Sequence, residues 1–156
     1  MPAAPLRLSA VLHVAERLRE RDRVEIFARA WPGQDHPERL AMEVLMHSRF
    51  GATIHATDGE PVAALGLTPV LPGIYSAWMF STDRWGEVWR SAARQAVRVI
   101  QPAAVAAGMR RAQCASLADH AEAHAFLRWI GFRAEGEAVP LGRDGERFIP
   151  FGWGLS

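Results

Sequence analysis

Cysteine is nearly missing from this chain. Cys114 stands alone among 156 residues, which excludes an internal disulfide framework and any multi-cysteine zinc or iron–sulfur site. Net charge is nearly missing too. Eighteen Lys and Arg against seventeen Asp and Glu leave a formal +1, too little to draw the whole molecule toward nucleic acid or an anionic membrane. No apolar run approaches the roughly 20 residues of a membrane span. The opening stretch MPAAPLRLSAVLHVAERLRERD has no basic n-region, no continuous apolar h-region and no small-residue cleavage site. These absences fit a reducing, cytoplasm-like compartment. Internal repeats, low-complexity blocks and Gly/Ser linkers are absent as well. What remains is 49% hydrophobic and 22% charged, an ordinary globular composition, at a length that suits one domain over residues 1–156.

The hydrophobic pattern changes period along the chain. Leu6 to Leu8 reads as a short opening strand, and Ser9 as the cap of a helix carrying Leu12, Ala15 and Leu18. Asp22 and Glu25 have the spacing of a capping box, so a second short helix carries Val24, Ile26 and Phe27. Asp35, Pro37 and Glu38 mark the start of a third, which runs to about Ser48. Phe50 to Thr57 and Pro61 to Thr68 read as a hairpin around Asp58-Gly59, followed by a PVLPG loop. Ile74 to Phe80 is a nearly continuous apolar and aromatic run, as in a strand buried on both faces. A long helix then follows Ser81-Thr82-Asp83, with Trp85, Val88, Trp89, Ala92, Ala96, Val99 and Ile100 inward, until Pro102 kinks or ends it. Arg111 to Leu117 is a further strand. Asp119-His120 opens a helix through Ile130 that Gly131 stops, and Phe132 to Val139 pairs with Arg147 to Trp153 as a closing hairpin. The expected fold is α/β (α+β mixed): a mostly antiparallel sheet of six or seven strands with helices on both faces.

This element order resembles the GNAT acyltransferase superfamily. The most specific stretch is EAHAFLRWIGFRAEG, Glu122 to Gly136, which resembles the helix-Gly-Phe-strand signature near the C-terminus of those enzymes. More closely, the chain is similar to a bacteriophage family of small virion- or morphogenesis-associated GNAT-like proteins. The matching pieces are LRERDRVEIFA (Leu18 to Ala28), DGEPVAALGLTP (Asp58 to Pro69), GIYSAWMFST (Gly73 to Thr82), and FLRWIGF with the trailing PLGRDG (Phe126 to Gly145).

The resemblance implies acyl transfer from acetyl-CoA, or another acyl-CoA, to an amine acceptor. Relatives hold the donor's pyrophosphate on a loop of pattern [QR]-x-x-G-x-[GA], whose backbone N–H groups turn inward at a helix N-terminus. The equivalent stretch is STDRWGEVWRS, which makes Phe80, Ser81, Thr82, Arg84, Trp85, Gly86 and Arg90 the candidate donor-binding residues. It carries one glycine, brings Asp83 and Glu87 where phosphates would sit, and puts bulky Trp85 and Trp89 at the helix start. The same residues read equally as a helix cap followed by core tryptophans. Where many relatives have a proton-donating Tyr, this chain has Leu127. Where the pattern often has Asn, it has His120, the candidate proton-transfer residue. The resemblance also implies an alternative, a catalytically degenerate phage or prophage component that binds particle or host proteins.

Other constellations read more simply. His120 and His124 lie one turn apart, but Glu122 is off the metal-facing side and no third ligand is evident, so no metal is expected. Cys114 reads as a buried thiol. Arg90, Arg94 and Arg98 read as a solvated helix face rather than a site for a CoA 3′-phosphate or a nucleic-acid backbone. Trp78, Trp85, Trp89 and Trp129 fall at inward positions, while Trp31 and Trp153 suit interface anchors. His36 to Ser48 carries more apolar residues than one stripe needs, which fits packing on a partner chain, a second copy included, or covering a substrate cleft.

Overall fold

The computed structural model describes residues 3–155. One sheet runs through the described residues in the order β1-β2-β3-β4-β5-β8-β6, with β7 paired to β8. The strands are β1 (Ala3–Ala4), β2 (Phe50–His55), β3 (Pro61–Leu71), β4 (Ile74–Ser81), β5 (Arg111–Leu117), β6 (Arg133–Ala134), β7 (Val139–Pro140) and β8 (Arg147–Gly154). All neighbours are antiparallel except β4 and β5, which are parallel. The helices are α1 (Leu8–Ala15), α2 (Glu20–Phe27), α3 (Pro37–His47), α4 (Trp85–Gln95), α5 (Gln101–Ala106) and α6 (Ala121–Trp129). The expected mixed fold is therefore present, with eight strands instead of six or seven.

Two apolar layers sandwich the sheet. Val11, Val14, Ala41 and Val44 from α1 and α3 pack with Ala64 and Phe80 on one face. On the other, Trp85, Val88, Ala92 and Phe126 from α4 and α6 pack with Ile54, Leu65, Tyr75 and Phe151. Alternation along the strands supplies both layers.

Several local expectations shift. The opening strand is Ala3–Ala4 rather than Leu6 to Leu8, since Ala3 and Ala4 pair with Ile54 and Thr53. Ser9 lies inside α1, and Arg7 occupies the cap position. The α3 cap is His36, whose Nδ1 accepts the Arg39 N–H, while Asp35 pairs with Arg143. The PVLPG loop is partly strand, because β3 continues to Leu71 before the turn at Gly73, where φ is +76°. The regular α-helix stops at Gln95, seven residues before Pro102, and the chain stays helical through it. The turn Ala96–Ile100 is π-helical, and Pro102 sits in the first turn of α5, where a missing N–H costs nothing. Trp129 is exposed rather than inward, at 68%, and rests edge-on against Trp89. Val99 is likewise exposed.

Gly66 on β3 shows how tightly the sheet is covered. A Cβ there would lie 2.6 Å from the Phe50 carbonyl oxygen and 2.7 Å from the Trp78 ring. The backbone cannot yield without opening the ladder, so Gly66→Ala is expected to lower stability by about 1–3 kcal/mol, as overpacking does. A urea unfolding midpoint shifted down at unchanged m-value is the measurement.

Candidate active site

The site follows from one feature of the sheet. β4 and β5 pair in register only at Ile74–Arg111, Tyr75–Ala112 and Ser76–Gln113. Beyond that the strands diverge, although β4 runs on to Ser81 and β5 to Leu117. The result is a V-shaped gap in the middle of the sheet. A cavity of about 740 Å³ passes through it, lined by Ala77 to Phe80 on one arm and Cys114 to Ser116 on the other. Glu25, Arg29 and Glu43 reach it from the α2–α3 side, and Phe126, Leu127 and Ile130 from the α6 side. The central residues of β4 are accordingly half-buried, not buried on both faces. Trp78 is the indole that lines the gap. Trp78 lies over Phe80, ring centroids 5.4 Å apart, and donates Nε1–H to Ser48 Oγ.

A strand pair that parts leaves backbone groups without partners, and buried ones need replacements. At the wide end of the V, α2 supplies them. Asp22 Oδ2 accepts the Ser81 N–H at 2.8 Å, and Glu25 Oε1 accepts the Leu117 N–H. The Arg19 N–H donates to the Ser81 carbonyl at 2.9 Å, and Leu18 bridges to Thr82. The spacing of Asp22 and Glu25 is thus not a capping box. Both carboxylates leave their own helix and clasp the two arms of the V.

His120 belongs to this clasp. It is 1% exposed, its Nε2 lies 2.7 Å from Asp22 Oδ1, and it is not among the residues lining the cleft. Arg19 completes the group, with Nε 3.0 Å from Asp22 Oδ2 and the guanidinium 5.2 Å from the Trp85 ring. None of its nitrogens makes a well-directed side-chain hydrogen bond, so the Arg19–Asp22 contact is Coulombic. Asp22, Glu25 and His120 are the residues whose ligand atoms converge closely enough for a cation. The buried guanidinium already supplies the positive charge there. His124 turns away, its Nε2 2.9 Å from the Leu117 carbonyl.

The β4–α4 loop is turned inward on itself. The Thr82 N–H donates to Val62 O, the Trp85 N–H to Thr82 O, and the Arg84 N–H to Thr82 Oγ1. Ser81 and Thr82 are buried, and Trp85 packs edge-on against Phe126 at 5.1 Å. Arg84 is held by Glu87, Glu60 and Asp58, which keep it protonated far above the ordinary range. The seven candidate donor-binding residues therefore divide. Phe80 lines the cleft; Ser81, Thr82, Arg84 and Trp85 are spent on the protein's own contacts. Gly86 has open space above it, and Arg90 is exposed and lies against Trp89. Along this loop the N–H groups of Thr82, Arg84, Trp85 and Glu87 are engaged within the protein. Cys114 lines the gap, and burial with the nearby Glu25 charge pushes its thiol up to about 12. It is an inert thiol there.

No protein-family model matches the chain, and no curated protein matches it. Solved structures do. The chain is similar to a GNAT-family acetyltransferase from Streptococcus pneumoniae (13% identity, 99% of this chain and 98% of that one, TM-score 0.69). It is similar also to the ribosomal-protein-S18-alanine N-acetyltransferase from Escherichia coli (15% identity, 99% and 93%, TM-score 0.65), and to a GNAT-family acetyltransferase from Bacillus anthracis (10% identity, 97% and 93%, TM-score 0.66). The fold is that of the GNAT acetyltransferases. No helix among the described residues is long and apolar enough to cross a membrane.

Breaking the clasp should be costly. Asp22→Asn removes the buried partner of Arg19 and leaves only the exposed Glu122, 3.7 Å away, and removal of one partner from a buried ion pair typically costs about 3–5 kcal/mol. Urea denaturation of the variant against the parent measures it. Cys114 should resist iodoacetamide at pH 8 in the folded chain, because its thiolate fraction is roughly a thousandfold below that of a thiol at the ordinary value of 9.0. Rapid labelling should appear only in denaturant.

Proposed function

We propose that the chain is an acyl-CoA-dependent N-acyltransferase of GNAT type, working in the cleft between β4 and β5. The observation that carries this reading is the cleft itself: two parallel strands parting after three paired residues, with a cavity passing between them. Such a gap offers unpaired strand edge to an amide-bearing arm and access from both faces. The acceptor is an amine of unknown identity. The charges around the cavity support that choice. Arg111 is paired with Glu135 and Arg29 lies over Phe148, while Glu25 and Glu43 remain on the α2–α3 side to favour a cation.

The donor, acetyl-CoA or a longer acyl-CoA, is held through its pantetheine arm, with Phe80 as part of the wall. Of the loop, Gly86 and Arg90 remain for its charged end. His120 serves through Asp22, as part of the clasp.

A second reading has its own support: a catalytically degenerate GNAT-like phage or prophage protein acting in the virion, in assembly or on a host protein. Engaged loop N–H groups and an Arg84 held by three carboxylates favour the catalytically degenerate part of it; the phage role rests on the motif resemblance alone.

Thermal-shift titration separates the two. A ligand at 100 times its Kd adds about 2.7 kcal/mol of stability. Acetyl-CoA is expected to raise the melting temperature, and S-acetylpantetheine to do so nearly as well, since only Gly86 and Arg90 of the loop remain for the nucleotide end. No shift with either at millimolar concentration sinks the acyltransferase reading and leaves the binding module.

A further inference from the structure

The cleft holds an unpaired hydroxyl that the core does not explain and a carboxylate whose clasp bond occupies one oxygen, and their role rests on the acyl-transfer reading. Ser116 lines the cavity and is 3% exposed, and its Oγ is buried with no hydrogen-bond partner. A buried hydroxyl left unpaired is costly to keep. Among the described residues, the remaining unpaired buried side-chain atoms belong to Arg19, whose charge faces Asp22. Ser116 has no such compensation.

Glu25 is the second group. It lines the same cavity from α2 and is half-buried. Its Oε1 accepts the N–H of Leu117, the residue that follows Ser116. The carboxylate is therefore fixed on the peptide unit joining Ser116 to Leu117. One acid, bonded at Leu117, and one unpaired hydroxyl, at Ser116, thus stand at adjacent positions of β5, on the arm of the V opposite Phe80. Cys114 is on the same arm, but its raised pKa keeps it a neutral thiol. Glu43 reaches the cavity from the exposed surface of α3.

We propose that Glu25 and Ser116 are the catalytic residues of this cleft. The acceptor's nitrogen attacks the thioester carbonyl carbon, so that a C–N bond forms and the C–S bond breaks. Glu25 takes the proton the nitrogen loses and passes it to water. Ser116 donates its O–H to the departing sulfur and stabilises the thiolate, which then takes its proton from water. The products are an amide and a free thiol, with no oxidant or reductant consumed. General-base assistance and one well-placed hydrogen bond to developing charge are each worth about 100-fold or more in rate.

The test uses the full chain, acetyl-CoA and a panel of primary amines, with release of free thiol as the readout. Glu25→Gln keeps an acceptor for the Leu117 N–H. It is expected to lower kcat about 100-fold and to leave the KM for acetyl-CoA within twofold. Ser116→Ala is expected to lower kcat about 100-fold while melting at or above the parent temperature, because it deletes an unpaired hydroxyl. A merely structural Ser116 would leave kcat where it was. An active parent whose two variants keep kcat within twofold overturns the pair and spares the acyl-transfer reading. A parent that releases no thiol with any amine overturns both. If Glu25→Gln does not fold, Ser116→Ala decides the proposal alone.

Discussion

Everything distinctive in this structure depends on one hydrogen bond between elements far apart in the chain: the Ser81 N–H given to the Asp22 carboxylate, 59 residues away. Two parallel strands that part must do something with the edges they expose. Water can serve them where the gap is wet, but Ser81 is fully buried. The carboxylate that answers Ser81 needs its own compensation, and Arg19 and His120 crowd around it for that reason. Arg19 in turn closes the β4 edge with its backbone N–H and lies over Trp85 with its side chain. A single unpaired amide thus organises a buried group drawn from the α1–α2 linker, the end of β4 and the start of α6.

The same constraint explains why the loop after β4 is built as it is. With Ser81 and Thr82 tied to α2 and β3, the chain enters α4 without the open curl that would expose several N–H groups together. Arg84, the residue just before α4, is ion-paired with Asp58, Glu60 and Glu87. Bulky Trp85 is then no obstacle. It points into the core and provides the aromatic face on which Arg19 rests.

Much of this fold was legible in the sequence because most of it is local. The hairpin around Asp58-Gly59, the amphipathic stripe of α4 and the stop at Gly131 are set by turn chemistry and by periods of 2 and 3.6. Gly59 and Gly131 indeed take φ of +89° and +98°. The aromatic run Ile74 to Phe80 announced a central strand. It could not announce that its neighbour departs after Ser76, since divergence is a relation between two strands. Asp22 and Glu25 were misread for a physical reason. Carboxylates three apart satisfy helix N–H groups in a capping box, and equally they project from one side of a helix toward anything packed there. Only the fold brings Ser81 and Leu117 into reach. The helical pattern placed His120 at a helix start, and its position there is close to that expected. Its burial against Asp22 spans 98 residues of sequence and left no local trace. Ser116 carried no signal at all, because an unpaired hydroxyl is a property of surroundings, not of spacing.

The clasp and the cleft are parts of one design, since α2 contributes to both. Asp22 and Glu25 lie on the same side of the helix, yet their surroundings differ. Asp22 is 1% exposed, sealed between a guanidinium and an imidazole with its backbone donor in place. Glu25 is half-buried, holds one strand amide and borders open space. A carboxylate immobilised on every side can only support; one fixed at a single oxygen beside a cavity can exchange a proton with what enters it. The clasp also dictates how anything enters. The wide end of the V is shut by Leu18, Arg19, Asp22 and Glu25. The cavity remains lined from both faces of the sheet. On the acyl-transfer proposal, a ligand would therefore arrive across the sheet rather than along it, and donor and acceptor would meet from opposite sides of β5.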